Sequence, residues 1–298
     1  MRIAFLGVGQ MGLPIAKYLA RSGEELVVWN RSQASTEGLA AEGAKIAPTV
    51  SEAVADADVV FSMLMDDAAV EQVVLGAGGN HTGILRAMQR GAIHASLSTI
   101  SVKLSKRLTE QHQIHGHHFV AAPVFGRPNV AAEGKLWIVV GGDPEHVAKI
   151  RPLLETFSRG ITVVSEKPHG AHAFKIGGNF LITAMIESLS EAMVFAEGHS
   201  LDPALFLETV NTALFQSPFY GAYGKVMVNP PATPGATVAL GIKDMRLFRD
   251  AAKSASVRTP LADKFADDLN RASEAGLGQA DWAAGLYRYI RGTGRADG

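Results

Sequence analysis

Residues 1–32 read MRIAFLGVGQMGLPIAKYLARSGEELVVWNRS, and their pattern decides the fold. Ile3, Ala4, Phe5 and Leu6 form an apolar run of the length of a buried parallel strand. Gly7, Gly9 and Gly12 follow in the spacing G-x-G-x-x-G. A helical pattern then runs through Ile15, Leu19 and Ala20 to a stop at Gly23, and Glu25 to Trp29 reads as a second strand. Strand, glycine turn, helix and strand within about thirty residues match the size of a dinucleotide-binding unit. Gly7 permits the tight turn, Gly9 lets a pyrophosphate approach the backbone, and Gly12 lets the helix pack closely on the strand. Gln10 and Met11 complete the loop, whose helix start offers free N–H groups to an anion.

The end of the second strand bears on which dinucleotide is bound. An NAD site usually carries an Asp or Glu there for the ribose 2′-hydroxyl. This chain has Asn30, Arg31 and Ser32. No carboxylate repels a 2′-phosphate, and the planar donor fork of Arg31 can pair with one, so NADP is the expected cofactor.

At 298 residues the chain suits two domains. A net charge of −1 gives no electrostatic reason to expect nucleic acid or an anionic membrane. The absence of cysteine removes disulfides, thiolate metal sites and cysteine nucleophiles, and fits an expected cytoplasmic location. The run Met1 to Val8 is interrupted too early for a secretory signal, and no eighteen consecutive residues are apolar, so no membrane span is expected.

Further along, a helix is expected after Ser32, a short strand at Ala44 to Ile46, and a helix capped by Ser51. Asp58 to Met65 is a buried strand whose last residues, Met63, Leu64 and Met65, are cofactor-binding candidates. Asp66 and Asp67 open a helix, and a glycine-rich loop spans 76–83. Strands are expected at Ala92 to Leu97, Phe119 to Val124, Leu136 to Val140 and Ile161 to Val164. Helices are expected at Val102 to His115 and from Asp143-Pro144 to Phe157. From Gly170 onward only helical periodicity remains, with Pro218 and Pro230 to Pro234 marking loops and a frayed tail at 291–298. The expected architecture is α/β: a Rossmann dinucleotide-binding domain at 1–167, then an all-helical substrate and dimerisation domain at 168–298.

The first long helix of that second part holds Lys175 and Asn179, four apart and so on one face. That face is expected to look into the crevice beside the strand ends, where open α/β sheets bind ligands. A lysine there can exchange a proton with a substrate oxygen or nitrogen, although a lone lysine on a helix is usually just solvated, and spacing alone favours that reading.

The chain resembles the β-hydroxyacid dehydrogenase family, which includes 3-hydroxyisobutyrate dehydrogenase and tartronate semialdehyde reductase and is related to 6-phosphogluconate dehydrogenase. The resemblance is carried by Gly7-Val8-Gly9-Gln10-Met11-Gly12, Asn30-Arg31-Ser32, Ser98-Thr99-Ile100, Ala122-Pro123-Val124, Gly170, Lys175, Asn179, Lys243-Asp244, Gly278 and Asp281. It implies that Thr99 lies by the nicotinamide, that Lys175 is the catalytic lysine, and that Asn179 is a substrate-binding amide. It also implies that Lys243 approaches the cofactor and that the chain forms a homodimer or homotetramer.

The departures fall in the substrate half. The family loop D-A-P-V-S-G-G holds a substrate carboxylate; here Ala121 stands for the Asp, Phe125 for the Ser and Arg127 for the second Gly, with Gly126 kept. Gly178 replaces one of two asparagines, Ala236 stands at a usual phenylalanine, and Gln216 at a usual glycine. Phe125, Gly126, Arg127 and Asn179 are therefore the substrate-binding candidates, with Arg127 able to restore acid recognition if it faces the pocket.

His112, His115, His117 and His118 sit at the end of a helix expected to be peripheral and carry no metal expectation. Trp29 and Trp137 are expected as packing residues, and Tyr220 or Tyr223, in a loop, as secondary proton donors. The expected function is hydride transfer between NADP(H) and a small carbonyl or hydroxy compound. Alternatives are an imine reductase, disfavoured by Lys175, and a non-catalytic dinucleotide-binding relative, disfavoured by Lys175 with Asn179.

Overall fold

The computed structural model describes residues 1–76 and 83–292. The glycine-rich loop expected at 76–83 and the tail expected at 291–298 fall mostly outside them. Compact units divide the chain at Met1–Lys175 and Ile176–Gly298.

The first unit alternates strand and helix: β1 (Arg2–Leu6), α1 (Gly12–Ala20), β2 (Glu25–Trp29), α2 (Glu37–Ala40), β3 (Lys45–Ile46), α3 (Val50–Val54), β4 (Val59–Ser62) and α4 (Asp67–Val70). It continues through β5 (Ile93–Ser96), α5 (Val102–His115), β6 (His118–Ala121), β7 (Val124–Phe125), α6 (Pro128–Ala132), β8 (Leu136–Gly141), α7 (Pro144–Glu155) and β9 (Ser158–Ser165). The strands form one sheet in the order β3-β2-β1-β4-β5-β6-β8-β7, with β9 on β8. Pairing from β3 to β6 is parallel, and β8 runs antiparallel to β6 and β7.

Strand order reverses between β1 and β4, the point where such sheets bind ligands beyond the strand ends. Register brings the ends together, because Leu6 pairs with both Trp29 and Ser62. Side chains alternate across the sheet: Ile3 and Phe5 enter one core with Ile15, Leu19 and Phe157, while Ala4 and Leu6 enter the other with Val54, Ile84 and Leu104. Both faces are covered, which explains the unbroken apolar runs of β1 and β4.

Several local expectations are corrected. Thr49, not Ser51, caps α3, its hydroxyl accepting the Glu52 N–H. The run 119–124 is two strands, since Pro123 has no N–H to give a ladder. Trp137 is 42% exposed rather than buried; its ring covers Gly160 and its Nε1 donates to the Thr162 hydroxyl at 3.0 Å.

The helix α8 (Pro168–Gly198) carries the chain from the first unit into the second. By length and composition it could cross a bilayer, which the test of eighteen consecutive apolar residues did not detect; half of its apolar window is buried inside the fold. The second unit adds α9 (Pro203–Val210), α10 (Pro218–Val228), α11 (Val238–Ser254), α12 (Pro260–Ala272) and α13 (Trp282–Ile290). Its core joins Ile186, Leu189, Val238, Met245, Leu269, Trp282 and Leu286. Tyr220 and Tyr223 lie on α10 rather than in a loop, because Pro218 sits in its first turn, where a missing N–H costs nothing.

A pair of carboxyl groups is buried among these helices. Glu187 of α8 is buried against Asp268 of α12, and Lys264 reaches both Asp268 oxygens at 2.6 Å. Burial, then the hydrogen bond and charge of Asp268, push the Glu187 carboxyl up to about 8. A folded-state value above the unfolded one means stability is complete below about 4.5 and lost as pH rises toward 8. Glu187→Gln removes that loss. Its stability relative to the parent is expected to grow by about 2–4 kcal/mol between pH 5 and pH 8. Urea unfolding at both pH values checks this, and a pH-independent difference would contradict it.

Candidate functional site

Gly7 adopts φ +98°, and a Cβ there would strike the Met63 carbonyl oxygen. A Cβ on Gly12 would strike the Gly7 carbonyl oxygen, whereas one on Gly9 would meet nothing within 4 Å. Two glycines therefore close the turn onto β4, and the third leaves backbone open above it. No side chain caps the start of α1 at Met11, and the Leu13 N–H donates to the Gly9 carbonyl at 2.9 Å, so the helix begins directly on the glycine loop, whose side the positive end of the helix faces. This open, uncapped helix start fits a dinucleotide pyrophosphate.

Asn30 shapes the loop itself: its Oδ1 accepts the Val8 N–H at 2.9 Å and its Nδ2 donates to the Ser32 carbonyl at 2.9 Å. Arg31 and Ser32 are exposed beyond β2, and Arg31 makes no ion pair among the described residues. Gln10 is exposed, and Met11 is half-buried against the core. After β4, the Leu64 N–H donates to the buried Ser98 hydroxyl at 2.8 Å, tying the ends of β4 and β5 together. Met63 packs against the core, Met65 is 77% exposed, and Thr99 is half-buried past β5.

Beneath this loop cluster runs a buried hydrogen-bond chain that the sequence did not reveal. The Leu108 carbonyl can only accept, so His112 Nδ1 donates to it at 2.7 Å. His112 Nε2 must then accept from His94 Nδ1 at 2.9 Å, and His94 Nε2 from the Ser62 hydroxyl at 2.8 Å. Burial holds both rings neutral, with His94 well below its ordinary value and His112 down to about 3. His112 thus belongs to the core rather than to a periphery. His115 and His117 bond the carbonyls of Gln111 and Leu85, and His118 stacks on His146.

Lys175 is 7% exposed on α8, with its Nζ 4.0 Å from the centroid of the Phe125 ring. Phe125 ends β7, Gly126 turns the chain at φ +139°, and half-buried Arg127 occupies the N-cap of α6. Three residues before Lys175, His172 Nδ1 lies 2.8 Å from the Ser105 hydroxyl, and burial lowers its ring to about 3. Gly170 is required by the approach of the Ser165 side chain.

One turn after Lys175, Asn179 is buried and its Nδ2 donates to Asp244 Oδ2 at 2.6 Å. The second Asp244 oxygen lies 3.2 Å from Lys243 Nζ. Asp244 fixes which way the Asn179 amide points. The sequence singled out Lys243 of this pair; the bond from Asp244 spans 65 positions and left no local signal. Tyr223 is buried in the helical core, and Tyr220 stacks on Phe215.

Residues 2–165 match the NAD binding domain of 6-phosphogluconate dehydrogenase, and residues 170–290 match the NAD-binding domain of NADP-dependent 3-hydroxyisobutyrate dehydrogenase. The chain is 41% identical to the uncharacterised oxidoreductase YfjR of Bacillus subtilis, over 95% of this chain and 98% of that protein. It is 30% identical to 2-hydroxy-3-oxopropionate reductase of Escherichia coli, over 95% of each. Among solved structures, 3-hydroxyisobutyrate dehydrogenase of Mycobacterium tuberculosis superposes with a TM-score of 0.84 at 27% identity, covering 96% of this chain and 98% of that one. The chain belongs to the β-hydroxyacid dehydrogenase family, within the 6-phosphogluconate dehydrogenase superfamily, and is an NAD(P)-dependent oxidoreductase.

Proposed function

We propose that the protein moves a hydride between NADP(H) and a small carbonyl or hydroxy compound, with Lys175 as the general acid and base. The observation that carries this reading is Lys175 itself, an amine 7% exposed on a helix whose next inward turn bears Asn179. A bound nicotinamide would give the hydride in reduction and, in its oxidised form, take it up in oxidation. In reduction, the Lys175 ammonium gives a proton to the carbonyl oxygen as charge develops on it. In oxidation, the neutral amine removes the hydroxyl proton. Asn179, held by Asp244, orients the substrate oxygen. Thr99, Met63, Leu64 and Met65 would hold the nicotinamide end, and the family resemblance assigns Lys243 to the cofactor.

Arg31 supports NADP over NAD, since the position past β2 that usually carries a ribose-binding carboxylate has an exposed guanidinium next to it. Exposed Leu205, Leu214, Phe219 and Leu261 on the helical unit support association with a second copy of the chain. Light scattering is expected to give at least twice the chain mass, and a monomer would contradict that part.

Loss of one charge-assisted contact costs about 1.5–3 kcal/mol. Arg31→Ala is therefore expected to weaken NADPH binding about ten- to hundredfold and to leave NADH binding little changed. Equal losses for both cofactors would make Arg31 structural.

Lys175→Ala is expected to keep cofactor affinity and lower turnover by about two to four orders of magnitude. A screen of small aldehydes, keto acids and cyclic imines, followed by NADPH absorbance, supplies the substrate for this comparison. Turnover within a few fold of the parent would assign the proton to another group.

A further inference from the structure

The ring of Phe125 faces the Lys175 ammonium at 4.0 Å, inside the first unit. Burial alone favours a neutral amine, since an ammonium taken out of water loses its hydration. The face of an aromatic ring carries negative quadrupolar charge and opposes that loss. The ring also restricts a long side chain with four rotatable bonds. Phe125 is itself fixed, because the Val124–Phe125 strand pairs with Ile138 and Trp137 of β8, and Gly126 turns the chain directly after it.

We infer that Phe125 is a positioning residue for Lys175, its ring helping to hold the ammonium charged and aimed. This inference rests on the proton-transfer role of Lys175 proposed above. It gives Phe125 a task beyond making the pocket apolar: the position stops pairing with a substrate carboxylate and instead sets the geometry of the proton donor. A Lys175 so held delivers its proton along one direction, and a carbonyl oxygen must come to it. The effect therefore falls on turnover of bound substrate more than on binding.

Electrostatic hold and mere packing are separated by changing the ring's charge distribution without changing its shape. Phenylalanines bearing one, two and three fluorines, placed at position 125, weaken the negative face stepwise. Turnover in the reductive direction at saturating NADPH is expected to fall with each fluorine, by about 3- to 30-fold across the series, the range of a desolvated cation–ring contact. The KM for the substrate and the NADPH affinity, read from nicotinamide fluorescence, are expected to stay within about threefold. Phe125→Leu is expected to lose about as much as the trifluorinated ring, and Phe125→Tyr to restore turnover. In a Lys175→Ala background the fluorine series is expected to be flat.

A flat series in the parent, with Lys175→Ala inactive, would overturn the positioning role and leave the catalytic lysine standing. Full turnover by Lys175→Ala would remove the catalytic lysine, and the positioning role with it. Folding of each variant is read from the same NADPH titration.

Discussion

A side chain on residue 12 would occupy the space of the Gly7 carbonyl oxygen, and one on residue 7 would occupy that of the Met63 carbonyl oxygen. This double close approach welds the glycine turn to the start of α1 on one side and to the end of β4 on the other. In sheet order β1, from which the turn emerges, and β4 are the two strands on either side of the reversal. The position of the cofactor loop is therefore set by backbone packing, and the surrounding side chains only trim it: Asn30 pins Val8, and Ser98 pins Leu64.

The two halves of the site differ in how they were legible. The cofactor half is local. Turn, helix start and second strand follow one another within about thirty residues, and each leaves a signal in composition or period. The helical face bearing Lys175 and Asn179 was legible as a four-residue spacing. What those side chains touch was not. Asp244 meets Asn179 from 65 positions away, and His94 meets His112 through a sheet and a helix that only the fold apposes. Smaller misreadings have the same origin. Ser51 and Thr49 are both capping residue types, and only backbone geometry selects Thr49. Tyr220 and Tyr223 follow a proline, which reads as a loop until the fold places it in a first turn. Trp137 is apolar within a strand, yet its face of β8 is only partly covered.

The substrate half combines a retained lysine with altered surroundings. Phe125 brings an aromatic face where a hydroxyl would pair with an acid, and Arg127 follows it at the head of α6. An apolar ring and a guanidinium two positions apart thus bring opposite chemistry to one loop. Asn179 stays tied to Asp244, and its orientation is insulated from those changes.

The chain from Ser62 through His94 and His112 to the Leu108 carbonyl has a direction, because its last acceptor cannot donate. Each member gives one hydrogen and takes one from its predecessor, apart from the hydroxyl that begins the chain. Exchange of any single member strands a buried donor or acceptor on the next one. The three positions are consequently coupled: exchanging serine and both histidines together for residues that carry no hydrogen to pass on avoids the mismatch that any single exchange leaves.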